Sequence, residues 1–142
     1  MNALLARLAQ SRFLRFALVG GAGFFVNEAA LFVALHWIGL GRYGGVVFSF
    51  FAAVTFTWWG NRMLTFRDEA ASGIAAMAVE WVKFVLANGL GFLVNYAVYA
   101  ALITFAPAPF DNPYLALACG TIAGLVFNFT LSKRVVFHAP TP

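Results

Sequence analysis

The sequence predicts an all-α membrane protein with four transmembrane helices, built from two parallel two-helix repeats. The composition is the first reason, since 63% of the 142 residues are hydrophobic and only 10% are charged. Soluble domains are about half apolar and a quarter charged. A soluble chain of this length would lack the polar residues needed to cover its surface. With a mean hydropathy of +0.85, most of this chain is expected to lie in lipid.

Long apolar runs are the second reason. Four of them approach or exceed the roughly 20 residues that a helix needs to cross the hydrocarbon core. Each run must be helical, because a single span has no other way to pair its backbone groups in lipid. The predicted spans are residues 16–38, 44–60, 84–105 and 114–131.

The distribution of basic residues predicts the orientation. Arg7, Arg12 and Arg15 precede the first span, and Lys133 and Arg134 follow the fourth. The central loop is expected to hold Arg62, Arg67 and Lys83, whereas the two other connections hold only Arg42. Positive charge favours the cytoplasmic side, so both termini and the central loop are predicted to be cytoplasmic. The net charge of +4 is spread over these short segments, which argues against a nucleic-acid partner. Cys119 is the single cysteine, so no internal disulfide can form.

An internal repeat is the third reason. Residues 15–27 align with residues 83–95 at one constant offset, and a basic residue opens both segments. Apolar bias alone would match leucine or phenylalanine by chance, but not two glycines and an asparagine in register. The identical pairs are Phe16 and Phe84, Gly21 and Gly89, Gly23 and Gly91, Phe24 and Phe92, and Asn27 and Asn95. We therefore expect one domain of two repeats, about 12–67 and about 80–138, which face the same way because each contains two spans.

Polar side chains near the middle of the spans are the first set of candidate residues. Asn27 and Glu28 lie in the first span and Asn95 in the third, while Asn128 lies in the fourth span nearer its inner end. Translocon scales assign roughly 2.5–3.5 kcal/mol to a central acid, so such groups should face the bundle interior or a wet cavity. The asparagines could serve helix packing or contact a substrate. Glu28 adds a carboxyl that packing does not require, which favours a functional role as a hydroxyl acceptor or a titrating group.

Basic side chains at the predicted cytoplasmic edge form the second set. They are Arg15, Arg62, Lys83, Lys133 and Arg134. Orientation and contact with lipid headgroups explain part of this set. The sharper interpretation is a phosphate site, since a guanidinium can pair with two phosphate oxygens. The sequence contains no constellation of metal ligands or of a nucleophile and its base, so we expect no catalytic residues, no metal and no cofactor.

These motifs resemble those of the GtrA-like family of bacterial inner-membrane proteins. The resemblance lies in residues 15–27 and 61–66 and in their second copies at 83–95 and 128–137. It implies four spans with cytoplasmic termini, and a role in flipping polyprenyl-phosphate-linked sugars, such as undecaprenyl-phosphate-linked glucose, during synthesis of cell-surface polysaccharides. The residues at the family's motif positions are Asn27, Asn61, Arg62, Asn95, Asn128 and Lys133.

This chain departs from the family pattern at three places. Thr57-Trp58 stands where the family often has Asn-Phe, and Ser132-Lys133 where it often has Asn-Arg. Glu28 is not part of the pattern.

The favoured function is therefore a flippase for a polyprenyl-phosphate-linked monosaccharide. Four helices make a thin wall around a sugar-sized path, so a homo-oligomer within the membrane lipids is expected. Two alternatives remain open. One is a membrane scaffold that recruits a glycosyltransferase, and the other is a proton-coupled exporter of the small-multidrug type that uses Glu28.

Overall fold

A computed structural model describes residues 11–137, with the side chains of residue 13 and residues 128–137 left out of the description. All regular structure in this part of the chain is helical, which confirms the predicted all-α class. Helix α1 is Arg12–Val33 and continues into a π-helical turn, Ala34–Ile38. Helix α2 is Arg42–Gly60 and continues into a second π-helical turn, Asn61–Thr65. Helices α3 and α4 are Ile74–Phe105 and Pro113–Phe137.

The connection between α1 and α2 is short because a glycine reverses the chain. Gly39 has a φ of 78°, a left-handed conformation that side chains other than glycine adopt at a cost. The Leu40 N–H then donates to the Ala34 carbonyl over 2.8 Å. This closure brings α2 back antiparallel along α1.

The central loop is shorter than the sequence analysis expected. Helix α3 begins at Ile74 rather than at residue 84, so Lys83 lies inside it. Arg62 belongs to the π-helical turn that continues α2. Hydropathy did not reveal the first turns of α3, because the charged residue Glu80 makes this stretch less apolar. The stretch is helical because it is rich in strong helix formers such as alanine. The assignment of Arg62 and Lys83 to the central loop was therefore wrong.

In the described part of the chain, two helical segments are long and apolar enough to cross a membrane, Leu14–Ile38 and Ile74–Phe105. Pro113–Phe127 is a shorter apolar helix. Only 22% and 11% of the apolar windows of the two long segments are buried, whereas the core helix of a soluble protein would be mostly buried. Large apolar side chains such as Phe25 and Leu86 are instead exposed around the bundle. Exposed apolar surface of this extent is typical of contact with lipid or with other proteins.

The four helices share one compact core near the α1–α2 and α3–α4 turns, which we call the turn end of the bundle. Every helix contributes at least one fully buried residue to it. The Tyr99 hydroxyl donates to the Arg42 carbonyl over 2.8 Å, so its polar end is also paired. This core closes the turn end. Its residues are Leu31, Val46, Tyr99, Ala116 and Leu117.

The opposite end contains the central loop, and we call it the loop end. Along the bundle the most extensive packing is within the pairs, and α2 also contacts α3. Helix α1 packs against α2, and α3 against α4. In the first pair, Gly23 lies directly against the Thr57 side chain. In the second pair, a Cβ on Gly124 would lie 2.8 Å from the Gly91 carbonyl oxygen. The repeat-related glycines Gly23 and Gly91 thus both occupy a close approach inside their own pair.

Gly120 tests how far the α3–α4 pair depends on this close approach. A Cβ at this position would lie 2.6 Å from the Asn95 carbonyl oxygen, which is backbone and cannot rotate away. Gly120→Ala is expected to force the helices apart and to lower the free energy of unfolding by about 1–3 kcal/mol. Thermal unfolding of the purified protein in detergent measures the effect.

The matched control is Gly89→Ala in α3, where an added Cβ meets nothing within 4 Å. It should leave the midpoint unchanged or raise it slightly, because alanine favours the helix. Equal midpoints for the two variants would show that the α3–α4 contact is not as tight as described.

Candidate functional site

The candidate site is built on the buried polar atoms that lack a partner. Among the side chains that the structure describes, these are Arg15 Nε, Asn27 Oδ1, Glu28 Oε1 and Asn95 Oδ1. All four belong to residues that the sequence analysis had already selected. Leaving a buried polar group unpaired costs about 1–3 kcal/mol, and such groups are rare in folded proteins. Their concentration on the candidate residues marks these atoms as candidates for contacts with a ligand or with water.

Asn27 and Glu28 are half-buried on α1, one turn beyond Gly23. Thr57, a polar side chain of the α1–α2 contact, does not satisfy them. The Thr57 hydroxyl donates to carbonyls of its own helix, at 3.0 Å to Ala53 and 3.1 Å to Val54. Asn27 Oδ1 and Glu28 Oε1 therefore have no hydrogen-bond partner.

Asn95 has one half of its amide engaged. Its Nδ2 donates to Thr121 Oγ1 over 3.1 Å, and the Thr121 hydroxyl donates to the Leu117 carbonyl over 2.9 Å. Gly120 leaves room for this contact. The nitrogen of Asn95 thus joins α3 to α4, as the packing interpretation expects, while its oxygen stays unpaired. Thr121 was missed by sequence reasoning, because nothing local marks a threonine that faces a neighbouring helix.

The spacing along the helices separates the two sets of candidates. Arg15 and Asn27 stand about 18 Å apart along α1, and Lys83 and Asn95 the same distance along α3, from the rise of an α-helix. A monosaccharide phosphate is shorter than this distance. A single headgroup could therefore contact the basic edge and the central groups only in turn. No hydrogen bond among the described side chains joins Asn27 or Glu28 to Asn95, so their convergence remains a prediction.

Arg62 is held by a carboxylate of the same chain. Its Nη1 donates to both carboxylate oxygens of Glu80, at 3.1 and 2.9 Å, and its Nη2 donates to the Ala71 carbonyl. The same carboxylate accepts from Trp58 Nε1 over 2.9 Å and from the Ala71 N–H over 2.8 Å. These contacts clamp the end of α2, the central loop and the start of α3 together. We call this group the Glu80 clamp.

Sequence reasoning overlooked Glu80. One signal was available, since Glu80 is the only acidic residue of α3. A lone acid beside an apolar run needs a cationic partner. Only the fold shows that this partner is Arg62, whose predicted role in binding phosphate must therefore compete with an existing ion pair.

The remaining edge residues have different surroundings. Lys83 is exposed on α3. Asn61 is buried, and its Oδ1 accepts from Thr65 Oγ1 over 3.0 Å within the π-helical turn. This family-motif residue thus supports the local backbone shape. The side chains of Asn128, Lys133 and Arg134 lie outside the described residues, as does the segment before residue 11.

A cleft of about 330 Å³ opens at the loop end, between the start of α1 and the end of α2. We call it the basic cleft because three of its lining residues are arginines. Arg15 brings its unpaired Nε to this region, and one acidic residue lines the same cleft. The lining residues are Arg12, Arg15, Met63, Leu64, Thr65, Arg67 and Asp68.

Residues 15–137 match the family described as GtrA/DPMS, transmembrane domain. The chain belongs to the GtrA/DPMS family. The match begins at Arg15 and ends at Phe137, so it contains α1 from its fourth residue, the other three helices and every candidate residue. GtrA proteins are membrane proteins generally linked to the translocation of lipid-linked sugars. No curated protein and no solved structure matched the chain.

No metal site accompanies the GtrA/DPMS domain in the part of the chain that the structure describes. There, no group of three His, Cys, Asp or Glu side chains is placed to hold an ion. The residues of the site offer hydrogen-bond acceptors along α1 and α3 and guanidinium groups at the loop end.

The Glu80 clamp predicts that substitution of Arg62 destabilises the protein more than substitution of Arg12 does. Arg62→Gln removes the ion pair of a carboxylate that is 29% exposed, while Arg62 itself is 12% exposed. We expect the free energy of unfolding to fall by about 1–3 kcal/mol, because Glu80 loses a charged donor in a partly buried setting. Thermal unfolding in detergent provides the measurement.

Arg12→Gln is the matched control, because Arg12 pairs with Glu69 over 2.7 Å where both side chains are more than half exposed, at 57% and 59%. Exposed pairs contribute about 0–1 kcal/mol. If Arg62→Gln were as mild as Arg12→Gln, the clamp would not stabilise the fold.

Proposed function

We propose that this GtrA-family chain is a flippase that moves a polyprenyl-phosphate-linked monosaccharide across the bacterial inner membrane. One observation carries the proposal, namely the chemical type of the unpaired atoms. The three in the middle of α1 and α3 are oxygen acceptors, and the one at the loop end is a guanidinium N–H donor. Sugar hydroxyls donate and phosphate oxygens accept. The unpaired atoms thus match the two parts of a sugar-phosphate headgroup.

The proposed architecture is four membrane spans in two parallel repeats. The antiparallel path of each helix pair supports it, as does the placement of Gly23 and Gly91 at corresponding close approaches. Every lysine and arginine of the described helices except Arg42 lies toward the loop end. That asymmetry favours cytoplasmic termini and a cytoplasmic central loop.

The proposed mechanism lowers the cost of moving a charged headgroup through hydrocarbon while the lipid tail stays in the bilayer. Cationic groups at the loop end first receive the phosphate. Asn27, Glu28 and Asn95 then accept hydrogen bonds from the sugar hydroxyls in place of water. The receiving groups are Arg15, Arg62, Lys83, Lys133 and Arg134, with Asn128 completing the polar path. Arg62 can take part only if the phosphate replaces Glu80.

The closed core at the turn end gives this mechanism a direction. Its residues are fully buried and come from all four helices, whereas the free polar atoms lie on the loop-end side of it. A headgroup that reaches Asn27 from the cytoplasm would meet this core, so release on the far side requires the core to open. A homo-oligomer would enlarge the wall around such a path, and a neighbouring glycosyltransferase would supply the substrate.

The test is translocation of a polyprenyl-phosphate-linked sugar in proteoliposomes. Replacing both Asn27 and Asn95 by Leu removes two acceptors from the path. It should lower the rate at least about tenfold, the effect expected from losing more than 1.4 kcal/mol of stabilisation. Normal rates in this variant would reject the proposed path.

Asn88→Leu is the matched control on α3. Asn88 is exposed, and its Nδ2 donates to the Phe84 carbonyl of its own helix over 2.8 Å. Asn88 lies in a proposed span but is not part of the proposed path, so its replacement should leave the translocation rate unchanged.

Two other functions each have an observation in their favour. The bond from Asn95 to Thr121 is the packing contact that a scaffold would need. A scaffold predicts no translocation by the native chain, together with retention of a glycosyltransferase in a pull-down. The unpaired Glu28 Oε1 would suit a proton-coupled exporter, for which Glu28→Gln should abolish pH-driven uptake of an organic cation in the same proteoliposomes.

A further inference from the structure

We propose that the basic cleft is the entry site for the phosphate group of the isoprenyl lipid, and that each chain has one such site, formed by the first repeat. Its ligand is a lipid-borne phosphate held by Arg12, Arg15 and Arg67, with the tail leaving over Met63 and Leu64. This inference rests on the proposed flippase function and assigns a place to its first step.

The charge of the cleft favours an anion. Three guanidinium groups face one carboxylate, that of Asp68, among the residues that line it. Arg12 also contacts Glu69 in an exposed ion pair, which a stronger anion can displace at little cost. Arg15 contributes a buried Nε with no partner. The N-terminus of α1 lies at the same place and adds a partial positive charge.

The wall of the cleft favours a lipid over a free phosphate ion. Met63 and Leu64 follow Arg62 on the π-helical turn, and both side chains are exposed. A soluble anion gains nothing from an apolar wall beside its site. An isoprenyl phosphate gains binding free energy from both parts of the molecule. Its phosphate pairs with arginine, and its first apolar units cover Met63 and Leu64.

The family-motif arginine is not part of this site. Arg62 donates to Glu80 and to the Ala71 carbonyl, so its guanidinium is already occupied in the clamp. Thr65 lines the cleft, but its hydroxyl donates to Asn61 Oδ1. The donors that remain for a phosphate belong to Arg12, Arg15 and Arg67.

The two repeats differ at the corresponding position. The offset that relates Asn27 to Asn95 relates Arg15 to Lys83 and Arg12 to Glu80. The first repeat therefore places a cation where the second places the carboxylate of the clamp. A charge reversal at this position leaves the first repeat with the phosphate site, which is why we assign one site to each chain.

In the experiment, farnesyl phosphate is titrated into the full chain in phosphatidylcholine nanodiscs, and calorimetry measures the dissociation constant. The native chain should bind it at least about tenfold more tightly than farnesol or inorganic phosphate, because only farnesyl phosphate uses both walls of the cleft. Arg15→Gln with Arg67→Gln should weaken binding at least about tenfold. Arg42→Gln, at the turn end, should bind as the native chain does.

The folding of the double variant is checked by its thermal midpoint and its elution as a single species. If it does not fold, Arg67→Gln alone, in the exposed loop, should still weaken binding severalfold. Arg15→Lys with Arg67→Lys should bind more tightly than the glutamine pair, since lysine keeps the charge but loses the bidentate geometry.

Three results would overturn the inference while leaving the flippase proposal in place. The first is native affinity in the glutamine pair, which would put the phosphate elsewhere on the chain. The second is equally tight binding of inorganic phosphate, which would remove the lipid. The third is displacement of farnesyl phosphate by phosphatidylglycerol in the nanodiscs, which would make the cleft a general headgroup contact. Failure of the native chain to bind farnesyl phosphate would instead count against both proposals.

Discussion

Hydrocarbon offers no hydrogen-bond partner, and this single constraint governs where every polar group of the chain lies. Four hydroxyl and amide side chains in the described helices satisfy it by bonding to the backbone of their own helix. Three central oxygens do not, and this exception makes them candidates for contacts with a substrate. The self-satisfied side chains are Ser49, Thr57, Asn88 and Thr121, and the exceptions are Asn27, Glu28 and Asn95.

The same constraint explains the unequal ends of the bundle. At the turn end, four helices exclude water with apolar side chains, and the buried Tyr99 hydroxyl donates to the Arg42 carbonyl. Charged side chains lie at the loop end, and there the ion pair between Arg62 and Glu80 joins the end of α2 to the start of α3. A bundle that is closed at one end and charged at the other has the polarity that a one-sided entry for an anionic headgroup requires.

The proposed duplication, followed by divergence, accounts for the site. In the proposed repeat, Asn27 and Asn95, and Gly23 and Gly91, lie at corresponding positions, so the central groups come in pairs. Divergence then distinguishes the halves. Arg12 corresponds to Glu80, and Glu28 corresponds to Tyr96, so the basic cleft and the central carboxyl both belong to the first repeat.

The sequence by itself determined the helical class, the approximate helices, the family and the residues worth examining, because hydropathy, charge placement and self-similarity are properties of the linear chain. Only the tertiary structure decided which groups are still free. Arg62 meets Glu80, and Asn95 meets Thr121, through the rotation and closeness of helices that no local pattern encodes. The same holds for the basic cleft, since Arg12 and Arg67 are brought together only by the antiparallel return of α2 along α1.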